Sequence, residues 1–188
     1  MSFQVYRLRH DNRYQYMLPH HQIELDCRPQ EGGWVPPSME IPEPLLDRGN
    51  FFNGERHYFI VEKEGLYALA PHFEAVGEIL PVLYEEEDFF LINILACEAR
   101  LAIDKSDWGY GIGVKHYPYG IPKKYSFRED KLPLGMYRLF KIPETHMVEI
   151  LLCEDDEEDK TFSFRTLYNQ YKLTGLIFQK IWDSSEDE

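Results

Sequence analysis

Residues 88–106 read Asp88-Phe-Phe-Leu-Ile-Asn-Ile-Leu-Ala-Cys-Glu-Ala-Arg-Leu-Ala-Ile-Asp-Lys-Ser106. From Phe89 to Leu95 every residue but Asn93 is apolar. A run of this length suits a strand or a piece of buried helix, and periodicity does not separate the two. If Asn93 is buried it must be hydrogen-bonded, because an unsatisfied amide costs about 1–3 kcal/mol. Its expected role is to fix backbone at the end of a strand.

Working outward, Phe3-Gln-Val-Tyr-Arg-Leu8 alternates apolar and polar residues and predicts a strand. Residues 19–50 hold six prolines (Pro19, Pro29, Pro36, Pro37, Pro42, Pro44) with Gly32 and Gly33, which exclude long regular structure. Trp34, Val35, Ile41 and Leu45 in the same stretch predict an ordered loop laid over the body, a kind of segment that is often functional. His57–Val61 is a short strand candidate. Pro71 is expected to open a helix, with Phe73, Val76, Gly77 and Leu80 on one face. Pro81–Tyr84 reads as extended, before the acidic Glu85-Glu86-Glu87-Asp88.

Residues 107–122 are irregular, and Gly109, Gly111 and Gly113 lack the spacing and context of a phosphate loop. Strand candidates follow at Tyr125–Arg128, Met136–Ile142 and Met147–Cys153. The acidic run Glu154-Asp155-Asp156-Glu157-Glu158-Asp159 then leads into a helix with Phe164, Leu167, Tyr168 and Tyr171 on one face. Ser163 or Thr161 is placed to cap it, and Gly175 to end it in the left-handed conformation. Leu176–Trp182 is a last strand and residues 183–188 an acidic tail. The reading is one α+β domain over residues 1–182, mainly antiparallel sheet with a few packed helices.

The chain has 188 residues, 44% of them hydrophobic, enough for one real core. Aromatics reach 15%, which favours sheet. The formal charge is −13, from 33 acids against 20 bases. That balance argues against nucleic-acid and anionic-membrane partners and favours a basic protein partner. The N-terminus lacks a signal-peptide pattern and no apolar run is long enough to span a bilayer, so a cytoplasmic protein is expected.

Catalytic chemistry is hard to find. Cys27, Cys97 and Cys153 are far apart in sequence and form no C-x-x-C. Cys97 and Cys153 read as buried small hydrophobes. His10, His20, His21 and Glu24 lack the spacing of metal ligands. There is no G-x-S-x-G elbow, and acids are too abundant for any one pair to be informative. No cofactor, metal or catalytic residue is expected.

Two segments carry a resemblance. Phe89-Phe-Leu-Ile-Asn-Ile-Leu95, continuing to Ala102-Ile-Asp-Lys-Ser106, resembles the central motif of the bacterial immunity protein 11 family. Leu173-Thr-Gly-Leu-Ile-Phe178 resembles that family's Leu-Thr-Gly ending, and the resemblance extends over residues 66–182. One position departs from it, Glu98 standing where the family usually has aspartate. The resemblance implies the immunity half of a toxin–immunity pair, a non-enzymatic protein that binds and neutralises a cognate toxin inside the producing cell. It also implies that Asn93, Asp104, Ser106 and Gly175 serve the scaffold. Partner contacts are expected instead in the acidic runs (Glu154 to Asp159, and Glu85, Glu86 and Glu87) and in the proline-rich loop at Trp34. An adaptor or chaperone for a secreted effector fits the same features, as does an enzyme with an unrecognised site.

Overall fold

A computed structural model describes residues 2–30, 32–53, 58–108, 121–133, 138–156 and 160–186. Two four-stranded antiparallel sheets form its frame. In the first, β10 (Leu176–Asp183), β1 (Phe3–His10), β9 (Ile150–Asp155) and β8 (Leu139–Phe140) lie side by side. In the second the order is β4 (Phe51–Asn53), β5 (Phe59–Glu62), β7 (Glu87–Ile94) and β6 (Gly77–Tyr84). A two-stranded ribbon, β2 (Leu18–Pro19) with β3 (Met39–Glu40), belongs to the proline-rich segment. The helices are α1 (Lys63–Val76) and α2 (Phe164–Gln170). The fold is α+β, and all strand pairings within the sheets are antiparallel.

The central strands of both sheets are buried on both faces, and the side chains show how. Tyr6 and Leu8 of β1, Ile150 and Leu152 of β9, Phe59 and Val61 of β5, and Ile92 and Ile94 of β7 share a central core with α1 and α2. The alternate residues turn away from it. Phe3, Val5, Leu151 and Cys153 pack under Leu101, Tyr125, Phe127 and Leu132, which come from the long irregular segment. Ile60, Phe89 and Leu91 pack under Met17, Leu25 and Met39 of the proline-rich segment. A strand covered on both sides has no reason to alternate in polarity. This resolves the ambiguity of Phe89–Leu95, which is strand.

The proline-rich segment is thus a strap that completes a core. It also covers the free edge of β6. The Trp34 indole donates to the Pro81 carbonyl at 2.8 Å, and the Leu83 amide donates to the Pro37 carbonyl at 2.9 Å. Pro81 fits here because an edge strand leaves one residue in two without a ladder partner for its N–H.

Three local expectations are corrected. First, α1 begins at Lys63 rather than at Pro71, and ends at Val76. Leu66, Leu69, Phe73 and Val76 are its buried face, and burying them outweighs the cost of an interior proline that sits on the exposed side. Gly77 and Leu80 belong to the following strand.

Second, Gly175 does not terminate α2. Lys172 takes the left-handed conformation instead (φ 54°), while the Leu173 amide returns to the Tyr168 carbonyl at 2.9 Å. Gly175 is required elsewhere: at φ 100°, a Cβ on it would lie 2.1 Å from the Phe51 carbonyl oxygen.

Third, residues 125–128 form only one isolated bridge, Phe127 with Leu101, next to a second bridge between Lys124 and Asp107. By contrast the Ser163 cap is present, its Oγ accepting from the Thr166 amide at 3.2 Å.

Candidate functional site

The acidic run after β9 is not a free loop over its first residues. Glu154 and Asp155 lie inside β9. The Asp155 carboxylate meets Arg138 at 2.6 Å, with both side chains almost wholly buried. Glu154 meets Arg165 at 2.7 Å, and burial still pushes its carboxyl above the ordinary value. Asp156 is exposed and accepts from the Ser2 amide at 2.8 Å. Glu157, Glu158 and Asp159 lie outside the described residues. At the same end of the sheet, Asp183 pairs with Lys180 at 3.0 Å and Glu186 with the same lysine at 2.9 Å. Much of the charge read in the sequence here is therefore compensated within the fold.

The second acidic group is different. Tyr84 and Glu87 face each other across the β6–β7 hairpin, so Glu85 and Glu86 form its tip. Glu85 is held at φ 51°, and both residues are exposed. Among the described residues neither has an ion-pair partner, whereas Glu87 is forked by Arg48, which holds its carboxyl below the usual range.

The strap brings Trp34 to this hairpin. Trp34 itself is half-buried, and its indole N–H is spent on Pro81. Its neighbour Val35 is 80% exposed and sits between the two strap–strand tethers. Leu83, next to those tethers on β6, is 55% exposed. Val35, Pro81 and Leu83 are thus exposed where the strap meets the edge of β6, and Glu85 and Glu86 follow at the hairpin tip. An apolar centre with a charged rim has the composition of a protein-docking surface. Two expected partner-binding features, Trp34 and the Glu85–Glu87 group, are brought together. The run from Glu154 belongs to the other sheet.

Sequence reasoning missed Val35 and Leu83 as members of this surface. The only available signal was alternation in β6, where Leu80 and Val82 are buried while Pro81 and Leu83 point out.

The motif residues occupy the scaffold. Asn93 is fully buried, and its amide donates to the Arg28 carbonyl at 3.2 Å and to the Glu78 carboxylate at 3.0 Å. Ser106 clamps two loop segments, its Oγ accepting from the Ser126 amide at 3.1 Å and lying 3.0 Å from the Ala102 carbonyl. Asp104 is exposed in the turn before it. The Leu173-Thr-Gly175 element joins the two sheets: the Thr174 amide donates to the Asn50 side chain at 2.9 Å, and the Phe51 amide donates to the Thr174 carbonyl at 3.0 Å.

A cleft of about 340 Å³ opens beside β1, lined among others by Arg7, Arg9, His10, Phe59, Ile121 and Glu149. The Glu149 carboxylate is paired with Arg7 and accepts from the Tyr125 hydroxyl at 2.6 Å. Burial first, then Glu149, pushes the Tyr125 phenol up. These partners neutralise the carboxylate, and no Ser, Thr or Cys lines the cleft among the described residues. His10, His20, His21 and Glu24 do not converge: His10 is engaged by the Tyr14 carbonyl at 3.0 Å, and the described residues contain no group of three or more metal-ligating side chains. Among them, too, no helix is long and apolar enough to cross a membrane.

One cluster had no counterpart in the sequence reading. Cys27 of the strap and Cys97, just beyond β7, lie beside each other, and each shifts the other's thiol. Lys141 lies beside both, fully buried.

No protein-family model matches the chain, and no curated protein matches it either.

Proposed function

We propose that this chain is an immunity protein that binds and neutralises a basic toxin made by the same cell, docking through the strap and the β6–β7 hairpin. The observation that carries this reading is the exposure of Val35 and Leu83 at the edge where the strap meets β6, next to a hairpin tip whose acids Glu85 and Glu86 have no ion-pair partner among the described residues. Apolar anchors supply affinity once desolvated. The acidic rim speeds encounter with a positively charged partner and selects against acidic ones. The resemblance of residues 89–106 and 173–178 to the immunity protein 11 family supports the same reading. It also fits the scaffold roles of Asn93, Ser106 and Gly175, which leave specificity to the surface.

Co-expression with the protein encoded by the adjacent gene tests the proposal. An immunity protein rescues growth from that partner. Rescue that disappears when Val35 and Leu83 are replaced by glutamate supports docking at this surface. A partner whose loading or abundance changes with no effect on growth would favour an adaptor instead.

A further inference from the structure

Lys141 is the least expected side chain of the core. It is fully buried, its Nζ has no hydrogen-bond partner among the described residues, and no ion pair to it is formed by a described carboxylate. Burial pushes its ammonium below the ordinary lysine value, and the charge persists there only beside a counter-charge. The groups beside it that can supply one are the thiols of Cys27 and Cys97, with Glu144 acting on Cys97 and Asp26 on Cys27 from further out. The three residues come from distant elements. Cys27 lies in the strap, Cys97 follows β7, and Lys141 follows β8, where its amide donates to the Ala96 carbonyl at 2.8 Å. Cys27 is held at φ 61°, a left-handed conformation that a side-chain-bearing residue keeps only when its surroundings fix it. They do: the adjacent Arg28 carbonyl accepts from Asn93, and the Gln30 amide donates to Glu78.

We propose that Cys27, Cys97 and Lys141 form a peroxide-reactive thiol site that closes a reversible disulfide between the strap and the end of the second sheet. Both cysteines are half-buried, whereas Cys153 is buried. The neighbouring Cys97 first, and Lys141 after it, bring the Cys27 thiol down to about 7 against the opposing effect of burial, while the Cys97 thiol is raised. Cys27 is therefore the nucleophile.

Its thiolate attacks one peroxide oxygen and the O–O bond breaks. The departing hydroxide takes a proton from the Lys141 ammonium and leaves as water, and Cys27 becomes a sulfenic acid. The Cys97 sulfur then attacks the Cys27 sulfur. The S–O bond breaks, and the hydroxyl leaves with the Cys97 proton as a second water. Two thiols have lost two electrons and the peroxide has gained them. Lys141 ends as a neutral amine, which removes the buried charge at the moment its counter-ion disappears.

Peptide mapping without reductant after hydrogen peroxide treatment tests this. The expected product is a Cys27–Cys97 cross-link that a dithiol reverses and that raises the melting temperature by about 10 °C, with the buried Cys153 still reduced. In Cys97→Ser, a sulfenic-acid trap should label Cys27. In Lys141→Met the reaction at pH 7 should slow at least about tenfold. Absence of the cross-link under excess peroxide overturns the site. So does a wild-type rate in folded Lys141→Met. If that variant does not fold, labelling of Cys27 in Cys97→Ser decides, and failure to label overturns the proposal.

Discussion

Asn93 and Arg28 are joined across the boundary between sheet and strap: the buried amide of one donates to the backbone carbonyl of the other at 3.2 Å. The same amide holds Glu78, whose carboxylate in turn receives the Gln30 amide at 3.1 and 3.0 Å. A polar residue in an apolar strand thereby fixes the path of the segment that carries Trp34 and Val35. Asn93→Leu leaves the Arg28 carbonyl and Glu78 without this donor. It should cost about 1–3 kcal/mol in denaturant unfolding and raise proteolysis in the strap before that of the sheets.

Asp155 should behave as a structural residue although it belongs to an acidic run. Removing one member of a buried pair costs the other its counter-charge at 2.6 Å, so Asp155→Asn should destabilise by about 3–5 kcal/mol. Charge reversal at the exposed Asp156 should leave the melting temperature nearly unchanged. Thermal unfolding of the two variants separates the roles.

Gly175→Ala should be among the most damaging single changes. Its φ of 100° disfavours any side chain, and the new Cβ would meet the Phe51 carbonyl at 2.1 Å. The contact lies where the two sheets join. A loss of about 3 kcal/mol or more is expected, measured by chemical denaturation.

Two histidines set an acid-side dependence. Burial lowers His72 below its ordinary value of 6.5, against the hydrogen bond to the Phe162 carbonyl, and burial lowers His10 likewise. A base whose folded value is depressed takes up protons first in the unfolded chain. Stability from this source is therefore complete above pH 6.5 and is lost as pH falls below it. Unfolding titrations between pH 7.5 and about 5 should show a shallower slope in His72→Gln than in the parent chain.

Much of the frame was legible. Alternation in Phe3–Leu8 predicted β1, the spacing of Phe164, Leu167 and Tyr168 with the Ser163 cap predicted α2, and the apolar end predicted β10. The misread parts share a cause, which is that tertiary burial overrode a local signal. Pro71 looked like a helix start, but the buried face from Leu66 to Val76 carries the helix through it. Gly175 looked like a helix terminator, but a carbonyl from another sheet claims its missing side chain. Glu154 and Asp155 looked like surface acids open to a partner because nothing in the sequence pairs them with Arg165 and Arg138. The proposed docking surface was half legible, in Trp34 and the glutamates, and half not, because the segments that carry Val35 and Leu83 come side by side only when the strap lies on β6. The meeting of Cys27, Cys97 and Lys141 is set by topology alone.

The most direct test of the proposed docking surface is the affinity of the Val35→Glu, Leu83→Glu double variant for the adjacent gene's product, measured by calorimetry beside the parent chain. With folding verified by an unchanged melting temperature, affinity should fall at least about a hundredfold, as expected for loss of two anchors of roughly 1–2 kcal/mol each, and protection of growth should fail. Parent-level affinity and full protection in the folded double variant would contradict the account.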